Sequence, residues 1–477
     1  MKKVVFIEPK APNLHIFSQF VLPRLGIYIL GALMRRLGWD VEIIFEEAQA
    51  IDFEQVKKAD LVGISTITST APRAYLIADR IREMGIPVIL GGPHVTFLPK
   101  EALDHADFVI RGEGEHALMK FIDAWEERSS FSTVPNLSYW QDEKKIHNPM
   151  GGFFEHLDRI PFPDFSQYEA SEIRVAGHRT IPILTSRGCP FQCSFCSVTG
   201  MFGRKYRYRT PQNIIEELRQ YNDKKNVIFF YDDNFAANRK HTKVLLEAMI
   251  KENFKFKWSA QVRADIAKDE NLVQLMRKAG CHVVYIGFES VNPKSLAEMR
   301  KNQTVEEIKH AVKVIHRHGI HIHGMFVYGF DEDDWHTVKK TVKFAKRTKL
   351  ASTQFLILTP LPGSEIFRKL SSENRILFKD WALYDAHHVV FRPARFSVYG
   401  LQRAQIFSHS KFYSLMGMVR KFVKGKWFDL GLAHYARNLN RLWQKKNKTF
   451  LKVLDLLAPG KNEKIVVDYK QNIALDR

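Results

Sequence analysis

Ile181-Pro182-Ile183-Leu184-Thr185-Ser186-Arg187-Gly188-Cys189-Pro190-Phe191-Gln192-Cys193-Ser194-Phe195-Cys196 runs from a short apolar segment into a loop that carries three cysteines spaced C-x3-C-x2-C. Three thiolates hold three irons of a four-iron, four-sulfur (4Fe-4S) cluster and leave the fourth iron open to a ligand. A zinc knuckle and reduced surface thiols are the alternatives. Zinc in a structural site asks for four closed ligands, and the remaining cysteine, Cys281, is far off in sequence and reads as a buried apolar filler after Gly280. A histidine completing a zinc site stays open.

Downstream of the loop, strand and helix patterns alternate. Strands are expected at Ile181 to Thr185, Val227 to Tyr231, Lys257 to Val262, Val283 to Phe288, His323 to Tyr328 and Thr353 to Leu358. Helices are expected at Pro211 to Tyr221, Thr242 to Glu252, Glu270 to Lys278, Thr304 to His318 and Asp334 to Thr348. Six such units over residues 181–365 predict an α/β architecture: a partial (β/α)6 barrel, open on one side, with its active face at the strand carboxyl ends.

Upstream, residues 1–127 alternate β-branched runs (Val4 to Ile7, Val41 to Phe45, Leu61 to Ser65, Val88 to Leu90, Phe108 to Ile110) with helical patterns at Leu25 to Leu37, Ala71 to Met84 and Glu115 to Trp125. That pattern predicts a doubly wound parallel sheet binding ligands at its strand carboxyl ends. The loops there are Pro23-Arg24-Leu25-Gly26, Ser65-Thr66-Ile67 and Gly91-Gly92-Pro93-His94, where glycines admit a close ligand and hydroxyls can bond its edge. Residues 128–180, with Ser129-Ser130, Gly151-Gly152 and Ile160-Pro161-Phe162-Pro163, read as an extended linker.

The cysteine spacing, with Phe195 before the third cysteine, resembles the radical S-adenosylmethionine (SAM) superfamily. The three upstream loops and Arg111-Gly112-Glu113-Gly114-Glu115 resemble the cobalamin-binding domain of its cobalamin-dependent members. The resemblance covers the chain to about residue 395, including Trp381 to Pro393, and thins beyond it. It implies that SAM chelates the open iron and is cleaved to a 5'-deoxyadenosyl radical. Phe195, Asp232, Asp233, Arg263, Glu289 and Ser290 then belong to the SAM site: the acidic pair for the amino group, Arg263 for the carboxylate, Glu289 and Ser290 for the ribose or a substrate. The bland reading of Asp232-Asp233-Asn234 is a helix cap. Leu358 to Ser364 either shapes the adenine pocket or turns the chain.

For cobalamin the resemblance implies Leu25, Gly26, Ser65, Thr66, Gly91, Gly92, Pro93, His94 and Glu113. The Asp-x-His-x-x-Gly segment that ligates cobalt in other cobalamin domains is missing, which leaves the lower ligand open and an empty, vestigial domain as the alternative. The implied activity is methyl transfer to an unactivated carbon or phosphorus of a hydrophobic or extended substrate, a class B type radical SAM methyltransferase. The rivals are oxidation or cyclisation of the tetrapyrrole-cyclase type and a non-catalytic SAM and cobalamin sensor. A methylthiotransferase needs three further cysteines, and the chain has four in all.

With 477 residues and 45% hydrophobic content, two or three domains with ordinary cores are expected. The cysteine count describes no disulfide framework, so a reducing cytoplasm is expected, with flavodoxin or ferredoxin as electron donor. Met1 to Glu8 is unlike a secretory signal, and the apolar stretch Leu25 to Met34 is too short to span a bilayer. The formal net charge is +20, and residues 401–477 hold 16 Lys and Arg against 5 Asp and Glu, interleaved with aromatics. This C-terminal region, 366–477, reads as a basic helical cap over about 400–460. Its basic faces admit solvation, peripheral contact with an anionic membrane, or, less favoured, nucleic acid. His316, His318, His321 and His323 read as a helix end and strand start rather than a second metal site.

Overall fold

A computed structural model describes residues 1–13, 22–170 and 177–457. The first sheet has seven strands: β1 (Lys3–Glu8), β2 (Asp40–Phe45), β3 (Leu61–Ser65), β4 (Val88–Gly91), β5 (Phe108–Ile110), β6 (Leu137–Gln141) and β7 (Lys144–His147), in the order β2-β1-β3-β4-β5-β6-β7. The first five are parallel. Helices Leu25–Arg36 and Gly114–Trp125 pack on one face and Ala71–Glu83 on the other, which is why β1 is buried along Val4, Val5, Phe6 and Ile7. The strand order reverses between β1 and β3, so the loops after those strands open a crevice at the carboxyl edge.

One expectation is corrected here. Within the stretch expected as an extended linker, 137–147 fold as a hairpin that adds β6 antiparallel to β5 and β7 antiparallel to β6. Its turn holds Asp142 and Glu143 at φ 47° and 61°, a geometry usually marked by Asn-Gly or Asp-Gly.

The second sheet contains six parallel strands in chain order: Arg179–Ile183, Asn226–Phe230, Lys257–Val262, Cys281–Glu289, His321–Tyr328 and Ser352–Ile357. The first and sixth do not pair, so the barrel is open. Side chains alternate across each strand. Phe288 and Phe326 point outward to Phe344 of the helix Trp335–Arg347, each ring pair 6.3 Å apart. Tyr231, Phe229, Tyr285 and His323 form a continuous aromatic run on the inner face, with neighbouring centroids 6.2, 5.6 and 5.0 Å apart.

Helices Val398–Phe412, Leu415–Val423, Trp427–Lys446 and Lys448–Leu456 follow, as expected of the cap; residues 458–460 of that expectation lie outside the described residues. The first covers the outer side of the sixth strand, where the Tyr413 hydroxyl accepts from Thr353 N and donates to Thr353 O, both at 2.9 Å. The segment between barrel and cap returns to the first domain: Trp381 Nε1 donates to Glu101 Oε1 at 2.9 Å.

A candidate active site between the two sheets

The cysteine loop is held from several directions. Gly188 has φ +87°, and a side chain there would meet Lys205 O at 2.5 Å. Cys189 N donates to Gly203 O at 3.3 Å, Ser194 N to Met299 O at 3.0 Å, and Ile366 N to Ser194 O at 3.0 Å. Phe195 packs edge-on against Phe330, 6.0 Å between centroids. This scaffolding leaves Cys189, Cys193 and Cys196 half-buried and within electrostatic reach of one another. Burial, Asp233 and the neighbouring thiols push Cys196 up to about 12. Among the described residues no three His, Cys, Asp or Glu side chains gather as around a single ion. A cluster asks for something different, because each thiolate meets its own iron.

The acidic pair divides. Asp232 is fully buried and accepts from Thr185 N at 3.1 Å, Thr185 Oγ1 at 3.0 Å and the Ser186 hydroxyl, so it braces the strand that leads into the loop. Asp233 has no such donors. Burial, then the charge of Asp232, raises its carboxyl to about 7, and its own charge raises Cys189 and Cys196. A desolvated carboxylate beside three thiols is suited to a cationic ligand.

Arg263 lies flat on Phe191 of the cysteine loop, 3.7 Å from the ring centroid, and one terminal nitrogen donates to Lys301 O. Its buried Nε makes no hydrogen bond and lies 3.6 Å from Asp265 Oδ1, an ion pair too long to count as a hydrogen bond; the buried Asn234 Oδ1 is likewise an unused acceptor. Glu289, at φ 60°, accepts from Lys301 Nζ at 2.7 Å. Gly287 leaves room for that pair, since a side chain there would strike Glu289 Oε1. Ser290 caps a turn, accepting from Asn292 N at 3.1 Å. Lys301 thus meets Glu289, Arg263 and the Phe195 ring, and no sequence motif announces it.

The first domain brings its crevice to the same place. Arg24 is fixed by Glu8, its backbone N 2.9 Å from Glu8 Oε2, and also donates to Ser65 O at 3.4 Å. Tyr231, at the end of the second barrel strand, is pushed up to about 12 by burial and feels Arg24 and Glu8 from one domain and Asp233 from the other. The carboxyl ends of both sheets therefore face each other.

Of the residues expected at cobalamin, Gly26 is exposed and a side chain there would meet nothing within 4 Å. Ser65, Gly91, Gly92 and Pro93 are half-buried at the crevice. Thr66 is buried, donating from Oγ1 to Gly91 O at 2.9 Å, and Gly92 at φ +101° passes so close to Thr66 O that only glycine fits. These positions lie along the carboxyl edge of the first sheet.

Three of the expected residues are occupied otherwise. Leu25 belongs to the core. His94 is fully buried, with Nε2 3.3 Å from Glu101 Oε1 and its ring 5.1 Å from Trp381. Glu113 accepts from both terminal nitrogens of Arg207 at 2.9 and 2.7 Å, and Glu115 pairs with Arg187 at 3.1 Å. All four of these charged residues are at least nine-tenths buried, and Arg187 directly precedes Gly188-Cys189. Phe97 completes the seam against Gly200 and Gly363; a side chain at Gly363 would meet its ring at 2.5 Å.

Inside the open barrel, Met325 and Gln354 are in register, one step from the His323 and Ser352 pair. Gln354 is fully buried and faces His323 without a well-formed hydrogen bond on either amide atom, and His323 Nε2 is likewise unsatisfied while Nδ1 lies 2.7 Å from Ser352 Oγ. Burial lowers His323 to about 4, so it is neutral. The lumen is thus an aromatic wall with polar atoms awaiting partners.

Comparison with known proteins agrees with this arrangement. The profile of the Radical SAM superfamily matches residues 183–345, and that of the B12 binding domain matches residues 17–122. An uncharacterised methyltransferase of Pyrococcus horikoshii is 31% identical over 390 residues, covering 79% of this chain and 84% of that protein. The bacteriochlorophyllide d C-12(1)-methyltransferase of Chlorobaculum tepidum is 30% identical, covering 83% of each chain. The anaerobic magnesium-protoporphyrin IX monomethyl ester cyclase of Rubrivivax gelatinosus is 27% identical, covering 91% of this chain and 85% of its own. Among solved structures, the radical SAM methyltransferase TsrM of Kitasatospora setae shares the fold with a TM-score of 0.66 at 18% identity, covering 78% of this chain and 76% of that one.

Proposed function

The chain belongs to the cobalamin-dependent radical SAM enzymes, and from that premise we propose that it transfers a methyl group from SAM to an unactivated carbon or phosphorus of an apolar substrate. Its cofactors are a 4Fe-4S cluster, SAM and cobalamin, which together supply one-electron cleavage of SAM and a transferable methyl group when bound. Within this reading, Cys189, Cys193 and Cys196 hold the cluster. Asp233 takes the amino group of SAM, the Arg263 guanidinium its carboxylate, and the Glu289–Lys301 pair fixes the neighbouring wall. Asp232 positions the loop. Gly26, Ser65, Thr66, Gly91 and Gly92 line the cobalamin cradle, while Glu113 and His94 bind the domain together.

The division that follows is a cobalamin domain over residues 1–127 extended by the hairpin to 147, a bridge to 180, the barrel over 181–365 and the cap over 366–477. The observation that carries the reading is the meeting of the two carboxyl edges at Tyr231, which feels Arg24 and Glu8 from one and Asp233 from the other, Asp233 being itself within reach of Cys189 and Cys196. An apolar body against Phe229, Tyr231 and Tyr285, with a polar group reaching Gln354 and His323, would satisfy the lumen. A hydrophobic substrate agrees with the bacteriochlorophyllide methyltransferase being a relative. The electron donor is of the flavodoxin or ferredoxin kind. Peripheral contact with an anionic membrane, as the basic cap suggests, is compatible with the absence, among described residues, of a helix long and apolar enough to cross one.

The test is reconstitution without oxygen, with methyl-labelled SAM and candidate tetrapyrrole and lipid substrates. Label in the product supports the proposal. Deoxyadenosine formed with product oxidised or cyclised and unlabelled refutes it, and favours the second reading, which the coverage of the cyclase relative motivates.

A further inference from the structure

The helix Leu415–Val423 wears its apolar side outward. Leu415, Val419 and Phe422 stand at i, i+4 and i+7, with Met416 and Val423 alongside, so the five share one face. None of them is buried: their exposures are 58, 56, 57, 64 and 78% in that order, and the helix as a whole has no buried residue. Trp427, 64% exposed, extends the stripe with its ring edge-on to Phe422 at 5.3 Å. The opposite side makes the attachment, where Met418 packs on the small cluster of Tyr413, Ala433 and Ala436 and Lys421 Nζ donates to Asp429 O at 3.4 Å. Isolated exposed apolar residues are ordinary on a protein surface, but six adjoining large ones mark a surface that something covers.

Charge says what covers it. Residues 411–428 contain Lys411, Arg420, Lys421, Lys424 and Lys426 and no Asp or Glu. Lys346, from the end of the helix Trp335–Arg347, joins them: Lys411 and Arg420 are close enough to repel its ammonium. A second copy of the chain would set these cations against themselves, whereas anionic headgroups would neutralise them while the stripe and Trp427 enter the acyl boundary. We propose that Leu415–Val423 and Trp427 form a docking face for an anionic lipid bilayer, with the helix lying in the plane of the interface. This holds whatever reaction the barrel performs. The face lies near Thr353, where the sixth strand begins, so it sits at the end of the barrel opposite the cysteines. Docking therefore leaves the mouth of the site uncovered.

The test is co-sedimentation of the full-length protein with phosphatidylcholine vesicles with and without phosphatidylglycerol. Binding is expected only with phosphatidylglycerol, reduced at least about tenfold by V419E/F422E, two exposed positions whose loss costs no core. K424E/K426E is expected to weaken binding about fivefold per charge, with the remaining binding less sensitive to salt. Circular dichroism of each variant shows that it is folded. Vesicle binding unchanged by both variants overturns the proposal, as does no binding to phosphatidylglycerol at low salt. A vesicle-independent dimer that V419E/F422E dissociates overturns it in favour of a second copy, and single-strand nucleic-acid binding lost in K424E/K426E without vesicle binding overturns it in favour of RNA or DNA.

Discussion

The cysteine loop and the helix Leu415–Val423 are both short, basic and aromatic, yet the fold treats them oppositely. Around the loop, Arg187, Arg207 and Arg209 are each matched by a carboxylate from another element, Glu115, Glu113 and Glu217, and all six are buried. On the outer helix and just past its end, Arg420, Lys424 and Lys426 are exposed, without an ion pair among the described residues. A basic residue therefore carries no fixed meaning in a sequence. What decides is whether the chain returns an acid to the same place, which buries the cation, or leaves it for an outside partner.

The contrast can be broken most severely at the loop itself. Cys193→Ala should abolish SAM cleavage, measured as deoxyadenosine under strong reductant, while changing folding stability by no more than about 0.5 kcal/mol, because the side chain is half-exposed. Next comes the seam. Glu115→Ala leaves Arg187 buried without its main partner and should cost about 3 kcal/mol in denaturant unfolding. It should also lower iron retention, since Arg187 adjoins Gly188-Cys189. Asp233→Asn, by contrast, should leave the fold intact and weaken SAM binding about tenfold in equilibrium dialysis, the loss of one charge-assisted contact. Asp232→Asn should act through the loop and unfold earlier.

Gln354→Met tests the lumen. It removes two buried amide atoms that lack a well-formed hydrogen bond, so the ligand-free protein should become up to about 1 kcal/mol more stable while turnover of the cognate substrate falls and substrate-independent SAM cleavage does not. At the far end of the comparison, Phe422→Glu should alter stability by less than about 0.5 kcal/mol, the value for an exposed site. A larger loss would mean that the helix is part of the core after all.

Much of this was legible in residue order. The barrel strands announce themselves through apolar positions packed on helices, and the third, Lys257–Val262, is found with the expected bounds. The C-x3-C-x2-C loop points to a cluster without any fold. The hairpin 137–147 stayed hidden because Asp142-Glu143 lacks the glycine that signals such a turn. Asp232 and Asp233 are chemically identical, and only the donors Thr185 and Ser186, 47 and 46 positions before Asp232, separate a brace from an open carboxylate. His94 and Glu113 belong to ligand-binding loops by position, but their partners Trp381, Glu101 and Arg207 come from elements that no local pattern links to them. Gln354 reads as an ordinary strand residue until its neighbours are known.

The seam of Glu113, Glu115, Arg187 and Arg207 bears on how such an enzyme could be dissected or rebuilt. Prising the halves apart would break two buried, hydrogen-bonded ion pairs at once, Glu113 with Arg207 and Glu115 with Arg187, which ties the modules together and favours substrate entry through the gap in the barrel wall over a hinge between them. For the same reason neither half should survive as an independent fragment, and exchanging one half for that of a relative would require transplanting both glutamates and both arginines together.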